Sequence, residues 1–360
     1  ELKTRLGELI DGCHALYVVS SEDDAIDAML LRVLRKLRTN ERNGSRAPRQ
    51  VCDLSAVLHE QRLIKDADAR ARMRRAAAIT CEAHILAMRA ARAGRSESDI
   101  RALIEFVFAR GGGEPGYDTI VGCGNNATTL HYTACSATLE PGQLLLVDAG
   151  CEWGGYTADV TRTYPVAAPD GTLPTWTRAQ RALYDVVLAA QQAGIAAART
   201  DATIEDVHDA CVRAATQGLV DLALLPQTSD IADLVARGEH RRYYIHRTSH
   251  FLGMDVHDVG AYFPMSAQRG TWAARPLQPG TVFTIEPGIY IRADAEPTKG
   301  AGAGAFAFDE FRGCGVRIED DVLITDERDD GIGRDILTRD CPKDPAELLR
   351  LIGSGVTIQM

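Results

Sequence analysis

The chain has 360 residues, of which 45% are hydrophobic and 25% are charged, an ordinary composition for a globular protein with a sizeable core. Its formal charge of -10 argues against nucleic acid as a partner, and no apolar run or leader-like start indicates a membrane span or a secretory signal. Nine scattered cysteines, never spaced as Cys-x-x-Cys, argue against a thiolate zinc site and favour a reducing, cytoplasmic location. The first residue is Glu1 rather than Met, which indicates a processed or incomplete chain.

The first 64 residues are predicted to be the remnant of a separate α/β domain. Residues 15–19 have the composition of a strand, residues 23–37 have helical spacing, and residues 39–49 are polar and turn-rich. We therefore divide the chain into a partial N-terminal domain, residues 1–64, and a larger domain, residues 65–360.

A pair of helices is predicted next. Residues 66–93 have the pattern of a long helix that Gly94 ends. Ser96 and Asp99 then have the spacing of a capping box, which predicts a second helix over residues 100–110.

An apolar run, residues 144–147, predicts a buried strand that ends at Asp148. A glycine-rich turn follows, and residues 156–166 predict a second strand that carries Asp159. Such a hairpin would place the two carboxylates opposite one another, where they repel and are costly to desolvate, and a bound cation is the simplest remedy. The alternative is that one aspartate caps a helix and the other lies at the surface. The hairpin alone does not decide between these interpretations.

A second helix pair follows the hairpin. Residues 177–198 and residues 204–219 have helical patterns, and Thr203 and Asp206 repeat the capping-box spacing at the start of the second helix. Each half of the larger domain is therefore predicted to open with two helices.

An internal repeat relates two strand segments. Residues 139–150 and 277–288 match at a constant offset of 138 residues (277 minus 139), and Glu286 stands where the first copy has Asp148. Both copies have Pro-Gly at their third and fourth positions and Gly at their last position. This agreement favours a duplication over a chance match between two turns. The halves should be related by a pseudo-two-fold axis that brings the two carboxylates toward one centre.

Two further segments add possible metal ligands. Residues 246–260 form the most histidine-dense part of the chain, and residues 315–325 predict a strand with Arg317 and Glu319 on one face. The resulting four carboxylates and one imidazole suit Mn²⁺ or Co²⁺, with Zn²⁺ as an alternative, and bridging carboxylates would hold two ions about 3.5–4 Å apart. The predicted metal ligands are Asp148, Asp159, His250, Glu286 and Glu319.

Five motifs together resemble a known family. They are LHYT (130–133), LLLVDAGCEWGGYTADVTRTYPV (144–166), HRTSHFLGMDVHDVG (246–260), TIEPGIYI (284–291) and GVRIEDDVLIT (315–325). In this order and spacing they are similar to the Xaa-Pro aminopeptidases (aminopeptidase P) of the pita-bread metallopeptidase family. The resemblance implies an α+β protein: a duplicated pita-bread (creatinase/aminopeptidase) fold with pseudo-two-fold halves, preceded by the remnant of an α/β N-terminal domain.

The resemblance also implies a role for each motif residue. Asp159 and Glu319 would bridge two divalent ions, Asp148 would hold one of them, and His250 with Glu286 would hold the other. The implied catalytic residues are His246, His257 and Glu286. The implied substrate-binding residues are His131, His246, His257, Tyr262 and Arg317. Tyr290 falls at a position that the family keeps at or behind the metal site.

The implied reaction is hydrolysis of the peptide bond before a proline, with Mn²⁺ as the expected metal. Glu286 would accept a proton from the attacking water and carry it to the leaving nitrogen. His246 would polarise the scissile carbonyl, and His257 would bind the carbonyl beyond the scissile bond.

The remaining site residues have supporting roles in this interpretation. His131 would line the proline pocket, and Tyr262 would help to seal it. Arg317 is expected to pair with Asp148 rather than to touch the substrate. His240, beside two arginines, is interpreted as a core residue.

Three alternatives stay open: an Xaa-Pro dipeptidase (prolidase), a methionine aminopeptidase, and a non-catalytic pita-bread protein-binding module. Residues 58–80 favour the aminopeptidase over the prolidase, the histidine-rich segment matches methionine aminopeptidases poorly, and five intact ligands argue against the binding module. The expected partners are a proline-containing peptide and, in the full-length protein, further copies of the chain. Residues 294–313 are expected to form a mobile surface loop and not a functional lid.

Overall fold

The computed structural model describes residues 2–20, 23–170, 172–227, 230–265, 270–302, 304–326 and 333–355. The chain divides into two compact units, Glu1–Arg62 and Leu63–Met360. In the ranges described, no helix combines the length and the apolar character that crossing a membrane requires.

The smaller unit has the α/β character that was predicted. Two parallel strands, β1 (Ala15–Val18) and β2 (Gln50–Asp53), are connected through helix α2, Asp24–Thr39. Parallel neighbours need a crossover of this kind, and the side chain of Asp23 caps the crossover helix. The other helices of this part of the chain are α1 (Leu2–Ile10) and α3 (Ser55–Leu63).

The first half of the larger unit begins with the predicted helix pair. Helix α4 covers Ala67–Ala90 and α5 covers Glu97–Arg110, and the capping box between Ser96 and Asp99 is formed in both directions, as predicted. The strands that follow are β3 (Glu114–Pro115), β4 (Ile120–Cys123), β5 (Leu144–Asp148), β6 (Cys151–Trp153), β7 (Tyr156–Thr157) and β8 (Thr161–Pro165).

The second half begins in the same way. Helices α6 (Arg178–Ala197) and α7 (Ile204–Asp221) pack together, and Thr203 and Asp206 form the predicted second capping box. The later elements are α8 (Ile231–Ala236), β9 (Val282–Ile285), β10 (Gly288–Ile291), β11 (Cys314–Arg317), β12 (Asp320–Ile324), β13 (Arg334–Ile336) and α9 (Pro345–Leu351).

The sheets of the larger unit are short and antiparallel. Strand β5 lies between β4 and β8, and β12 lies between β13 and β9. Strands β5 and β9 are the offset-related pair, and each begins two residues after a glycine with positive φ, Gly142 at 76° and Gly280 at 95°. The repeat read from the sequence is therefore present in the local structure, because a side chain at either glycine would strain the turn that starts the strand.

Two predicted strands are interrupted. Asp148 is paired with Thr161, not with Asp159, because the chain first forms a separate β6–β7 ribbon around Gly154 and Gly155. The predicted continuous strand over 315–325 is also wrong, since β11 ends at Arg317 and β12 begins at Asp320. In both places a carboxylate that was predicted to lie within a strand lies in the break beside it.

The glycine-rich segment 294–313 is anchored at several points. Buried Thr298 is hydrogen-bonded to the Tyr243 hydroxyl at 2.9 Å, and Ala301 forms a β-bridge with Pro226. The Phe311 side chain is fully buried, and its ring centroid lies 5.5 Å from that of Phe306. These contacts differ from the mobile surface loop that we expected, although residue 303 of that loop lies outside the described residues.

Candidate active site

One cavity of about 780 Å³ in the larger unit contains the predicted site. All ten residues assigned to the site from the sequence line it: His131, Asp148, Asp159, His246, His250, His257, Tyr262, Glu286, Arg317 and Glu319. Three of the carboxylates are buried, with Asp148 8%, Asp159 5% and Glu319 2% exposed. The cavity therefore has an acidic floor enclosed by the two halves of the unit.

Strand ends and strand breaks position the carboxylates. Asp148 is the last residue of β5, and the other three lie just outside strands: Asp159 before β8, Glu286 after β9 and Glu319 before β12. Side chains at such positions are held by the sheet but are free of its alternation, so all four can point to one centre.

The histidine-rich segment is fastened to β9 through its backbone. The Thr284 N–H donates to the His250 carbonyl at 3.0 Å, and the Glu286 N–H donates to the Thr248 carbonyl at 2.8 Å. These bonds bring His250 beside the end of the strand, where its Nε2 lies 3.5 Å from Glu286 Oε1 and 3.4 Å from Asp159 Oδ2.

Three of the five predicted ligands already approach one another as a metal site requires. Asp159, His250 and Glu319 each offer one ligand atom, and these atoms lie within 4.8 Å of one another. Glu286 joins the group through its contact with His250. Asp148 is held by Arg317 and, together with Asp159, by the hydroxyl of Tyr117.

The electrostatics of the floor favour a cation. Burial, followed by repulsion among the carboxylates, raises the pKa of Glu286 to about 8 and that of Glu319 well above its ordinary value. Burial also raises the pKa of Asp159. Burial lowers the pKa of His250, but the hydrogen bond to Asp159 and the charge of Glu286 outweigh it and raise the pKa to about 9. Buried carboxylates placed this close together are costly to ionise, and a bound cation would relieve that cost.

Tyr117 is a site residue that the sequence analysis missed. Its buried hydroxyl lies 2.6 Å from Asp148 Oδ1 and 2.5 Å from Asp159 Oδ1, so it joins the two aspartates of the interrupted hairpin. Burial and then the charges of both aspartates raise its pKa well above the ordinary value, which keeps the hydroxyl protonated and able to donate. No motif marks Tyr117, and its position just before β4 becomes meaningful only when β4 pairs with β5.

Arg317 is directed at Asp148, as expected. Its Nη2 donates to Asp148 Oδ2 at 2.5 Å, and its Nη1 donates to the Tyr290 hydroxyl at 2.7 Å. The Tyr290 hydroxyl in turn lies 2.8 Å from His246 Nε2, and His246 Nδ1 lies 2.7 Å from the Arg247 carbonyl. Because a carbonyl only accepts, Nδ1 carries the proton of a neutral ring and the tyrosine donates to Nε2. Burial and the Arg317 charge lower the pKa of His246 to about 3, which agrees with a neutral ring.

The other two histidines and Tyr262 form the opposite wall. The rings of His257 and His250 are 4.3 Å apart, and burial followed by the charges of the neighbouring histidines lowers the pKa of His257. The Tyr262 ring stacks on Phe251 at 4.4 Å and its hydroxyl accepts from the Phe251 N–H at 2.9 Å. His131 is exposed at the edge of this wall.

A buried acid and a buried ion pair, neither identified in the sequence analysis, hold the segments around His131 and His257. Glu97 is fully buried at the start of α5, and four donors from the segment that flanks His131 point at its carboxylate. Lys65 and Asp258, 1% and 0% exposed, form an ion pair at 2.8 Å directly beside His257. The donors to Glu97 are the Cys123 N–H, the Asn126 amide, the Tyr132 hydroxyl and the Ala137 N–H, at 2.7 to 3.0 Å.

Comparison with known proteins identifies close relatives. The model of metallopeptidase family M24 matches residues 71–326. The Xaa-Pro aminopeptidase of Escherichia coli K12 is 38% identical over 98% of the chain and 73% of its own length. The Xaa-Pro aminopeptidase of Haemophilus influenzae is 38% identical over 84% of the chain, and the match spans 64% of that relative.

Solved structures of aminopeptidases P are also similar to this chain. Aminopeptidase P of Escherichia coli in complex with substrate superposes with a TM-score of 0.85 and 38% identity, covering 98% of this chain and 73% of that one. Proline aminopeptidase P II from Yersinia pestis superposes with a TM-score of 0.85 and 39% identity, covering 98% and 74%.

Proposed function

The chain belongs to metallopeptidase family M24 and has its pita-bread fold, and from this premise we propose that it is an Xaa-Pro aminopeptidase, which releases the first residue of peptides with proline in second place. One observation carries the proposal: six carboxylates and four histidines, drawn from both halves of the unit, line a single cavity. The larger unit would be the catalytic domain. Peptides are the substrate class that this enzyme type implies.

A divalent metal site fits the residues present. The carboxylates of the floor hold more negative charge than the neighbouring cations offset, and oxygen ligands with one imidazole suit hard or borderline ions. We propose two Mn²⁺ ions, held by Asp148, Asp159, His250, Glu286 and Glu319. When bound, such ions polarise a carbonyl and lower the pKa of water.

Glu286 is the proposed proton carrier. Its carboxylate lines the cavity 3.5 Å from His250 Nε2, in reach of a water and of a peptide bound there. It would accept the proton of the water that attacks the scissile carbonyl. It would then deliver that proton to the proline nitrogen, whose bond to the carbonyl carbon breaks.

The histidines are proposed to bind and polarise the peptide. His246 is neutral and both of its ring nitrogens have partners, so contact with the substrate requires that it exchange the Tyr290 bond or the Arg247 bond. His257 has no such bond among the described contacts and faces the cavity, where it can donate to a substrate carbonyl. His131 and Tyr262 would enclose the proline ring.

Proline in second place defines a substrate that needs its own site. An Xaa-Pro bond has no N–H, and the ring restricts the backbone on both sides. A site with a pocket that the proline ring fills, and with groups that anchor the free amino terminus, would therefore prefer proline over alanine. The preference in kcat/KM would be about 1–3 kcal/mol, the contribution of a small apolar pocket.

A matched peptide series tests the proposal. We expect the Mn²⁺-loaded protein to cleave Xaa-Pro-Yaa faster than both Xaa-Pro and Xaa-Ala-Yaa, with release of the first residue measured at one pH. A preference for the dipeptide would replace this proposal with a prolidase. Equal rates for proline and alanine peptides would remove proline specificity.

Two further proposals concern the setting of the enzyme. We propose that the enzyme is cytoplasmic. Its nine cysteines are free thiols, most of them buried, and a reducing compartment preserves such thiols. We also propose that the full-length protein is a homo-oligomer.

A further inference from the structure

An ion pair stands at the mouth of the cavity, apart from the floor. Arg247 Nη2 donates to Glu205 Oε1, and both residues line the cavity. Their side chains are 57% and 34% exposed, whereas the floor residues Asp159 and Glu319 are 5% and 2% exposed as whole residues. The pair is therefore in reach of water and of any peptide that passes through the mouth.

Both partners stand on fixed backbone. The carbonyl of Arg247 accepts the Nδ1 hydrogen bond of His246, so its main chain is tied to the site. Glu205 lies in the first turn of α7, and the capping box between Thr203 and Asp206 holds the start of that helix. The backbone positions of both residues are therefore fixed, and only their side-chain rotamers move the two charges.

A peptide bound as proposed would pass this pair. An aminopeptidase that takes proline second holds the free amino terminus and the first two residues at the floor, so the chain beyond proline must leave through the mouth. Two arginines line the cavity, and Arg317 is buried against Asp148. Arg247 is the arginine placed at the exit, where it pairs with the half-exposed carboxylate of Glu205.

We propose, on the basis of the proposed function, that Arg247 and Glu205 form a subsite that selects a carboxylate at the third residue of the substrate. Arg247 has five N–H donors, and one nitrogen is engaged by Glu205, so the guanidinium can also bind a substrate carboxylate in a bidentate manner. That carboxylate is either an Asp or Glu side chain or the carboxyl terminus of a tripeptide. Glu205 competes for the same guanidinium and limits the preference.

The subsite predicts opposite effects for its two members. Arg247→Gln removes the cation and leaves the Glu205 carboxylate, so the preference for an acidic third residue should turn into a preference for a basic one. Glu205→Gln frees the guanidinium, so the acidic preference should grow. The double variant should show no preference, because neither charge remains.

Four peptides measure this: Ala-Pro-Glu-amide, Ala-Pro-Lys-amide, Ala-Pro-Gln-amide and the free acid Ala-Pro-Gln. We expect the wild-type kcat/KM for the Glu peptide to exceed that for the Lys peptide by about threefold to fivefold at low salt, the range of partly exposed ion pairs. The ratio should fall toward one in 0.5 M NaCl, where a Debye length of about 4 Å screens exposed charges. The free acid against the amide separates a terminal carboxylate from a side-chain carboxylate.

Arg237→Gln is the matched control. Arg237 is an exposed arginine that pairs with Asp233 and Glu239 and does not line the cavity, so its loss should leave every ratio unchanged. Thermal unfolding of each variant checks that the fold is intact.

The inference and the proposed function fail separately. If the wild type cleaves the Gln amide but the Glu-to-Lys and acid-to-amide ratios are the same in all four proteins, the subsite is wrong and the aminopeptidase stands. If no peptide is cleaved, the proposed function is wrong, and the Kd values of the intact peptides by titration calorimetry then decide whether Arg247 and Glu205 select a carboxylate.

Discussion

Glu319 and Asp320 are consecutive buried acids that belong to two different regions. Glu319 faces the ligand cluster, defined as Asp148, Asp159, His250, Glu286 and Glu319. Asp320 faces the Arg162 network, defined as Arg162, Gln191, Asp320, Thr338 and Lys343. Both side chains are removed from water, yet the surroundings give them opposite protonation behaviour.

In the Arg162 network every charge has a partner. Asp320 accepts from Arg162, Thr338, Gln191 and Lys343 at 2.5 to 2.8 Å. Although burial alone would raise its pKa, Arg162 and Lys343 lower the pKa to about 2. The remaining donors of Arg162 end on backbone carbonyls, among them that of Glu319. The cations and neutral donors of the network together neutralise the Asp320 carboxylate and hold it in place.

In the ligand cluster, burial raises the pKa values of Asp159, Glu286 and Glu319. Repulsion adds to this effect, because the carboxylates outnumber their cationic neighbours. Such an arrangement costs stability unless a cation is bound. The ratio of positive to negative groups therefore distinguishes the two kinds of buried cluster. A cluster in which the charges balance stabilises the fold, and one with an excess of carboxylates indicates a cation site.

The strongest test of this contrast is Glu319→Gln beside Asp320→Asn. Loss of the Glu319 carboxylate should abolish peptidase activity and weaken metal binding, yet leave the melting temperature of the metal-free protein unchanged or higher, because repulsion is relieved. Asp320→Asn should lower the melting temperature. Metal analysis, kinetics and thermal unfolding of both variants check this. A Glu319 variant with full metal content and normal turnover would contradict the dinuclear assignment.

Breaking the balanced region directly should be costly. Arg162→Met leaves Asp320 with one cation fewer in a dry site, and we expect the free energy of unfolding to fall by about 3–5 kcal/mol, the range for a broken buried ion pair. Urea unfolding measures the change. The double variant Arg162→Met with Asp320→Leu is the comparison, and it should recover part of the loss. A single variant as stable as the wild type would show that the network is not structural.

The histidines of the cavity test whether residues beside the ligand cluster act on substrate and not on metal. His246→Ala and His257→Ala should each lower turnover by about 10²–10³-fold, the effect of losing one transition-state donor. Their metal content should stay at the wild-type level. Stoichiometric loss of metal from either variant would make that histidine a ligand.

The smallest expected effect is a pH dependence of the Arg162 network. The pKa of Asp320 is lowered to about 2, below the ordinary value of about 3.9, so its contribution to stability is complete above about pH 5 and is lost as the pH falls toward 2. The difference in unfolding free energy between wild type and Asp320→Asn should therefore be constant from about pH 7 to 5 and shrink below that. Asp233→Asn, in an exposed pair, serves as the control. A difference that already shrinks between pH 7 and 5 would contradict the lowered pKa.

Features set by neighbouring residues were predictable from the sequence. The capping boxes at Ser96 and Thr203 and the paired strand starts after Gly142 and Gly280 formed as predicted, because caps and turns depend on a few adjacent residues. The motifs and the resemblance they carry also led to ten of the residues that line the cavity, since the duplication brings the strand ends together. Their individual roles stay predictions.

Only the tertiary structure decided which groups meet. The sequence places Glu319, Asp320 and Asp321 side by side, but their different surroundings depend on Arg162, on Asp159 and on strands far along the chain. In the same way Tyr117 and Glu97 became visible when β4 paired with β5 and when α5 met the segment around His131. The physical reason is that burial, charge balance and hydrogen-bond partners are set by contacts between distant segments, whereas propensities, caps and turns are set within a few residues.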